Sequence, residues 1–203
     1  IYDEDIDALN LNFSNLSIES CPKISFLEIE ISGEISTYKP YLENYFSIPG
    51  HNKNNFFTDI SNYISYENGQ PTHCYDADKI NGKILFKESH TDQEFKTLLG
   101  KKIYLTGKNH VFLSNDKVIN LAGVVGGKET SCSSDTKTVL VECAFFKPEA
   151  IIGKSVKYDI QSEASHKFER FVDPECQDKT LRRFIKIVEE HTNIKDMSLI
   201  TYS

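Results

Sequence analysis

From Leu27 to Ser32 apolar and polar positions alternate, with Leu27, Ile29 and Ile31 set against Glu28, Glu30 and Ser32. That is the period of a strand with one face buried. Over residues 56–67 the spacing changes: Phe56, Ile60, Tyr63 and Ile64 fall on one helical face, and Gly69 offers a stop just beyond. Between 100 and 144 short β-like runs return, at Ile103–Leu105, Val111–Leu113, Val118–Val125 and Thr138–Ala144. Ser114-Asn115-Asp116-Lys117 has the residues of a hairpin turn. Pro148 suits the first turn of a short helix over 148–157. A last helix is predicted over 174–191, capped by Asp173, begun by Pro174, and burying Leu181, Phe184, Ile185 and Val188. No segment repeats. The pattern predicts an α+β fold of mixed sheets with flanking helices, folded as two lobes around a shared cleft.

Few stretches have the composition of a linker. Residues 1–20 are polar and acidic and are expected to form an N-terminal arm, leaving 21–203 as one module. His51–Asn55 and 128–137 are predicted loops, too short to be interdomain tethers. A chain of 203 residues can bury a sizeable core. Its net charge of −7 excludes bulk attraction to polyanions, so any contact with nucleic acid must rest on a local patch. No apolar run approaches the ~20 residues of a membrane span. The five cysteines (Cys21, Cys74, Cys132, Cys143 and Cys176) are odd in number and form no CxxC pair. Neither a zinc site nor a disulfide framework is indicated, and a reducing cytoplasm is the simplest setting. A start at Ile1, without Met or signal peptide, fits a piece of a longer polypeptide or a chain with a disordered beginning.

Chemistry is suggested first by Val139-Leu140-Val141-Glu142-Cys143-Ala144-Phe145-Phe146, which sets one carboxylate in an apolar strand. A buried, unpaired carboxylate costs several kcal/mol, on the order of a large fraction of a domain's stability. Two readings are open for Glu142: an acid that reads a ligand, or one paired with a lysine or capping backbone amides. Upstream, Ala122-Gly123-Val124-Val125-Gly126-Gly127 supplies nearly bare backbone, either a ligand wall or a simple bulge. It is not a phosphate loop, because no Gly-Lys-Ser/Thr follows. His73 lies in a turn after Pro71, where a structural hydrogen bond is an equally open role. His166, Glu169, Arg170 and Asp173 read as a structural ion-pair network, and Lys179, Arg182, Arg183 and Lys186 as a solvated helix face.

Five segments in order then carry a resemblance: Asp59-Ile60-Ser61-Asn62-Tyr63, Gly69-Gln70-Pro71-Thr72-His73-Cys74-Tyr75-Asp76, the Ala122–Gly127 turn, Val141–Phe146 and Glu163–Arg170. The set resembles the editing module of the bacterial phenylalanyl-tRNA synthetase beta subunit, from about Cys21 to the final helix. The resemblance implies hydrolysis of tRNA(Phe) mischarged with tyrosine. It implies tRNA(Phe) and the synthetase alpha subunit as partners, in a heterotetramer. It implies no cofactor for the module itself, with ATP and Mg needed only by the full ligase, and no metal site.

Residue by residue, Glu142 matches the acid that accepts the tyrosine hydroxyl. Gly123 and Gly126 match the turn that leaves room for the ring, and Ala164 and Ser162 match the pocket wall. His73, Ser61 and Asn62 match the group near the ester and the terminal ribose. The need is physical. A pocket built for phenylalanine rejects the same ring bearing a hydroxyl by only about 10²-fold, whereas a site built around that hydroxyl can reach about 10⁴–10⁵.

The chain departs from the family pattern in places. Ser61 and Ser162 stand where threonine is usual, Tyr75 where phenylalanine is, and Phe171 where glycine is. The 41–57 region has drifted and lacks an arginine. A non-catalytic domain that docks tRNA or a subunit is the competing expectation.

Overall fold

The computed structural model describes all 203 residues. In chain order it contains β1 (Asp7–Ala8), β2 (Phe13–Asn15), β3 (Lys23–Ser32), α1 (Pro40–Phe46), α2 (Phe56–Asn68) and β4 (His73–Asp76). A 3-10 turn at Ala77–Lys79 leads to β5 (Ile84–His90), β6 (Gln93–Lys96), β7 (Lys102–Leu105), β8 (Lys108–Ser114), β9 (Lys117–Leu121) and β10 (Val125–Gly126). Then come β11 (Thr138–Phe145), α3 (Pro148–Ile151), α4 (Lys154–Lys157), α5 (Glu163–Glu169), α6 (Gln177–His191) and β12 (Asn193–Tyr202). The α+β class with mixed sheets is as the pattern predicts. No helix is long and apolar enough to cross a membrane.

Two five-stranded sheets organise the chain, in orders β1-β12-β3-β11-β4 and β10-β9-β8-β5-β2, with β6-β7 as a separate ribbon. The alternation read at Leu27, Ile29 and Ile31 is real: these residues, with Val139, Val141 and Cys143 of β11, bury against α1, α2 and α6. The residues between them face the other way. Ile24, Phe26, Leu140, Ala144 and Tyr75 join a second core with the strands of the other sheet, including Phe86, Phe112 and Leu121. The first sheet is therefore covered on both faces, by helices on one side and by a sheet on the other.

Local chemistry explains the ends of the elements. Asn55 caps α2 by accepting the Thr58 N–H at 3.1 Å, and Gly69 closes it in the left-handed region at φ +80°. Asn115 and Asp116 both take positive φ, 48° and 62°, as a tight hairpin turn between β8 and β9 requires. Leu181, Phe184, Ile185 and Val188 are all fully buried on α6.

Several boundaries differ from the sequence reading. The run 118–125 is two strands, because Gly123 turns the backbone at φ +69°. The helix over 148–157 is broken into α3 and α4 at Gly153, φ +81°. The last helix begins at Gln177, not 174, because Asp173 accepts the Glu175 N–H at 2.8 Å and holds a turn ahead of it. Residues 1–20 contribute a strand to each sheet: β1 pairs with β12 and β2 with β5, both parallel. The ion-pair network expected around Arg170 is absent. Arg170 bonds His166 one turn back, and Glu169 accepts the Gly153 N–H. On α6, Arg182 pairs with Asp178, Arg183 with Glu67 and Lys186 with Glu189, which leaves little of that face unpaired.

Phe171 keeps a left-handed backbone, φ +75°, and its ring is 60% exposed with an edge contact to Phe145 at 5.3 Å. The side chain gains the ring contact and costs backbone strain, each about 1 kcal/mol. Phe171→Gly should therefore change stability by no more than about 1 kcal/mol. Phe184→Ala, in the fully buried stripe, should lose about 3–5 kcal/mol in the same urea titration. Comparable losses for the two variants would show that Phe171 carries core packing.

Candidate functional site

The position of Glu142 follows from strand alternation. Its neighbours Val141 and Cys143 go to the helices, so Glu142 points to the sheet-facing side with Leu140 and Ala144. In register it lies between Phe26 of β3 and His73 of β4. Tyr75, two residues along β4, lies on the same face as His73, and their rings meet edge-on at 4.4 Å.

Only 4% of Glu142 remains exposed, and no lysine or arginine pairs with it. Tyr75 donates its phenolic hydrogen to Glu142 Oε2 at 2.7 Å, and Asn120 Nδ2 donates to the same oxygen at 3.3 Å. Asn120 Nδ2 also donates to Tyr75 Oη at 2.9 Å. Burial pushes the Glu142 carboxyl up from 4.5 to about 7, against the lowering effect of these two donors. Asn120 was not singled out from the sequence. Its signal was an amide in the apolar run Val118–Leu121, directly before the glycine turn.

His73 is half-buried, and its Nε2 is sealed from solvent with no hydrogen-bond partner. Desolvation pulls its pKa from 6.5 down to about 4, so the imidazole is neutral near pH 7 and a weak base. The ring packs on bare backbone: a Cβ on Gly126 would lie 2.1 Å from His73 Cε1. At Gly123 a Cβ would meet Ile151 Cδ1 at 2.6 Å, besides the strain of its positive φ. The two glycines thus make room for the protein's own side chains, and both also line the cleft.

One cleft of about 890 Å³ brings together all eight residues singled out from the sequence: Ser61, Asn62, His73, Gly123, Gly126, Glu142, Ser162 and Ala164. Their states differ. The Asn62 amide is exposed and makes no hydrogen bond within the chain. Ser61 Oγ is engaged with Thr72, 2.8 Å from its carbonyl and 2.7 Å from its hydroxyl. Ser162 Oγ donates to the Val124 carbonyl at 2.6 Å and accepts from Ser165 N–H at 3.0 Å. That hydroxyl ties the start of α5 to the glycine turn, so Ser162 shapes the wall rather than offering a donor. Ala164 supplies a small wall residue beside Phe146 and Phe168. The cleft thus combines one buried acid, a neutral imidazole, a free amide and a mixed wall in which Gly123, Gly126, Phe146, Ala164 and Phe168 are the apolar part. Such a set can read a hydroxyl on an aromatic group and orient a polar neighbour.

A family profile described as the B3/4 domain matches residues 37–193. Similar curated proteins include phenylalanine–tRNA ligase beta subunits. That of Ehrlichia canis is 37% identical over 152 residues, covering 74% of this chain and 19% of the relative. That of Psychrobacter arcticus is 32% identical over 177 residues, covering 87% of this chain and 22% of the relative. The chain therefore spans about a fifth of the length of these relatives. Among solved structures, an N-terminal fragment of the phenylalanyl-tRNA synthetase beta subunit from Pyrococcus horikoshii aligns with a TM-score of 0.50 at 12% identity. That alignment covers 73% of this chain and 47% of the other, and shows likeness of fold.

The two titrating groups act on stability with opposite sign. Glu142 has a raised pKa when folded, so its contribution falls as pH rises from 4.5 to about 7. His73 has a lowered pKa when folded, so its contribution falls as pH drops from 6.5 to about 4. Between 4.5 and 6.5 the two slopes oppose each other. Glu142→Gln removes one of them. The stability of the variant relative to the unmodified protein should rise by about 3 kcal/mol from pH 4.5 to pH 7.5. Urea titrations at both pH values measure it, and a difference independent of pH would contradict the buried, raised carboxyl.

Proposed function

Because the chain belongs to the B3/4 domain family, we infer that it is the editing module of a phenylalanine–tRNA ligase beta subunit and hydrolyses Tyr-tRNA(Phe). The observation that carries this is Glu142. It is a buried carboxylate with no cationic partner, lining a cleft shared with His73, Asn62, Ala164 and the glycine turn.

The tyrosyl ring enters against the Gly123–Gly126 backbone and Ala164, and its phenol donates to Glu142. A phenylalanyl ring brings no donor and leaves the desolvated carboxylate without that partner, which supplies the discrimination. The reaction itself is attack of water on the ester carbonyl. The carbon–oxygen bond to the terminal ribose breaks, the water oxygen stays on the acyl carbon, and the proton reaches the ribose oxygen. An aminoacyl ester is already activated, so orientation of the water and of the developing oxyanion does most of the work. Asn62 and the neutral His73 are the groups placed to supply it, and a base as weak as His73 acts by orienting rather than by taking the proton. No metal enters this step. ATP and Mg belong to the aminoacylation performed by the rest of the ligase, and tRNA(Phe) and the alpha subunit are its partners in the cytoplasm.

Deacylation of Tyr-tRNA(Phe) and Phe-tRNA(Phe) by the parent ligase tests the assignment. The unmodified enzyme should hydrolyse the tyrosyl ester in strong preference, Glu142→Ala should lose at least about 100-fold of that preference, and Ala164→Trp should block entry of the ring. Variants as fast as the unmodified enzyme would refute the site. An unmodified enzyme without hydrolysis would leave the docking role instead.

A further inference from the structure

We propose that Tyr75 is the positioning residue of this pocket: with Asn120 it saturates one oxygen of Glu142, Oε2, and leaves Oε1 as the single acceptor offered to a ligand hydroxyl. The proposal deepens the editing role and rests on it for the identity of that hydroxyl.

The donors and acceptors can be counted. Asn120 Nδ2 donates to Tyr75 Oη at 2.9 Å and to Glu142 Oε2 at 3.3 Å. Tyr75 has one hydroxyl hydrogen, given to the same Oε2 at 2.7 Å. Because Asn120 donates to Tyr75, the phenol must turn its own hydrogen toward the carboxylate. The phenol and the amide therefore converge on the same carboxylate oxygen. Both bonds fall on Oε2, and no hydrogen bond of the structure ends on Oε1. Tyr75 is itself fully buried, so its phenol cannot exchange the carboxylate for water.

Nothing else near the carboxylate can do this. His73 stands opposite on β4 and is neutral near pH 7. Burial pushes up the thiols of Cys74 on β4, Cys143 on β11 and Cys21 ahead of β3, and the Glu142 charge adds to it, so all three are uncharged. From β3 the register neighbour is the apolar Phe26. Two neutral donors therefore stand where an ion pair would be expected, and the shorter, stronger bond is that of Tyr75. Removing its hydroxyl leaves the carboxyl easier to protonate and free to rotate. A protonated carboxyl brings a donor of its own into the pocket and no longer demands one from the ligand.

The test follows the Glu142 carboxyl directly, by carbon-13 NMR titration of this 203-residue protein, with the signal assigned by its loss in Glu142→Gln. The expected midpoint is near 7 in the unmodified protein. In Tyr75→Phe it should rise by about one pH unit, and in Asn120→Ala by less, in the same direction. An unmoved midpoint in a folded Tyr75→Phe overturns the proposal. If that variant does not fold, an unmoved midpoint in Asn120→Ala overturns it instead. In the full ligase, Tyr75→Phe should shift the pH limb of Tyr-tRNA(Phe) hydrolysis by the same amount. It should also cut the preference for Tyr- over Phe-tRNA(Phe) near neutral pH by about tenfold. A shifted NMR midpoint with no hydrolysis by the unmodified ligase would sink the editing role while leaving the hold of Tyr75 on Glu142 intact. Hydrolysis with an unmoved midpoint would do the reverse.

Discussion

The constraint on which this structure turns is a carboxylate taken out of water with no positive charge to meet it. An isolated ion in a low-dielectric interior is so costly that proteins either pair it or neutralise it. This chain does neither fully. Glu142 receives two neutral hydrogen bonds, enough to hold its pKa at about 7 but not at a surface value. A site in that balance gains more from one further donor than a salt-bridged acid would. The cleft is lined by that unmet demand.

The fold produces the balance through layering. A sheet exposed on one face would have hydrated Glu142, and a single core would have left no second layer to bring Asn120. Here β11 is an interior strand of its sheet, with β3 and the edge strand β4 on either side, and helices and a second sheet cover its two faces. β9, from that second sheet, brings Asn120 to Tyr75 and Glu142. The turn after β9 then returns Gly126 against the imidazole of His73, where no side chain would fit. Ser162 pins this turn to α5, so the wall and the floor of the cleft are held by the same few bonds.

What the sequence disclosed and what it hid divide along locality. Strand alternation at Leu27–Ile31, the buried stripe of α6 and the Asn115-Asp116 turn are written in short-range spacing, and they were legible. Glu142 was legible too, because a charge inside an apolar strand is anomalous on its face. The resemblance gathered eight residues that the structure places in one cleft. Its partners were not legible, since the contact of Asn120 with Glu142 spans 22 positions and depends on how two sheets stack. The pairing of residues 7–15 with strands as distant as β12 was hidden for the same reason. The start of α6 was misplaced because Asp173 and Pro174 look like a helix start, yet the side chain of Asp173 closes a turn of its own first. Phe171 shows the limit in another way: its backbone takes a left-handed angle that the residue type does not announce.

The relation of His73 to Glu142 bears on what the imidazole can do. They are cross-strand neighbours, a placement that elsewhere favours an ion pair. Here the order of proton affinities forbids one. With Glu142 near 7 and His73 near 4, a proton entering the pair sits on the carboxyl. An imidazolium facing the carboxylate would also meet the acid's demand without any ligand. The neutral ring leaves that demand open. The Nε2 of His73 stays unpartnered and sealed from solvent, and the ring carries no charge near pH 7. A ligand in this cleft therefore meets a titratable acid and an uncharged ring, not an ion pair.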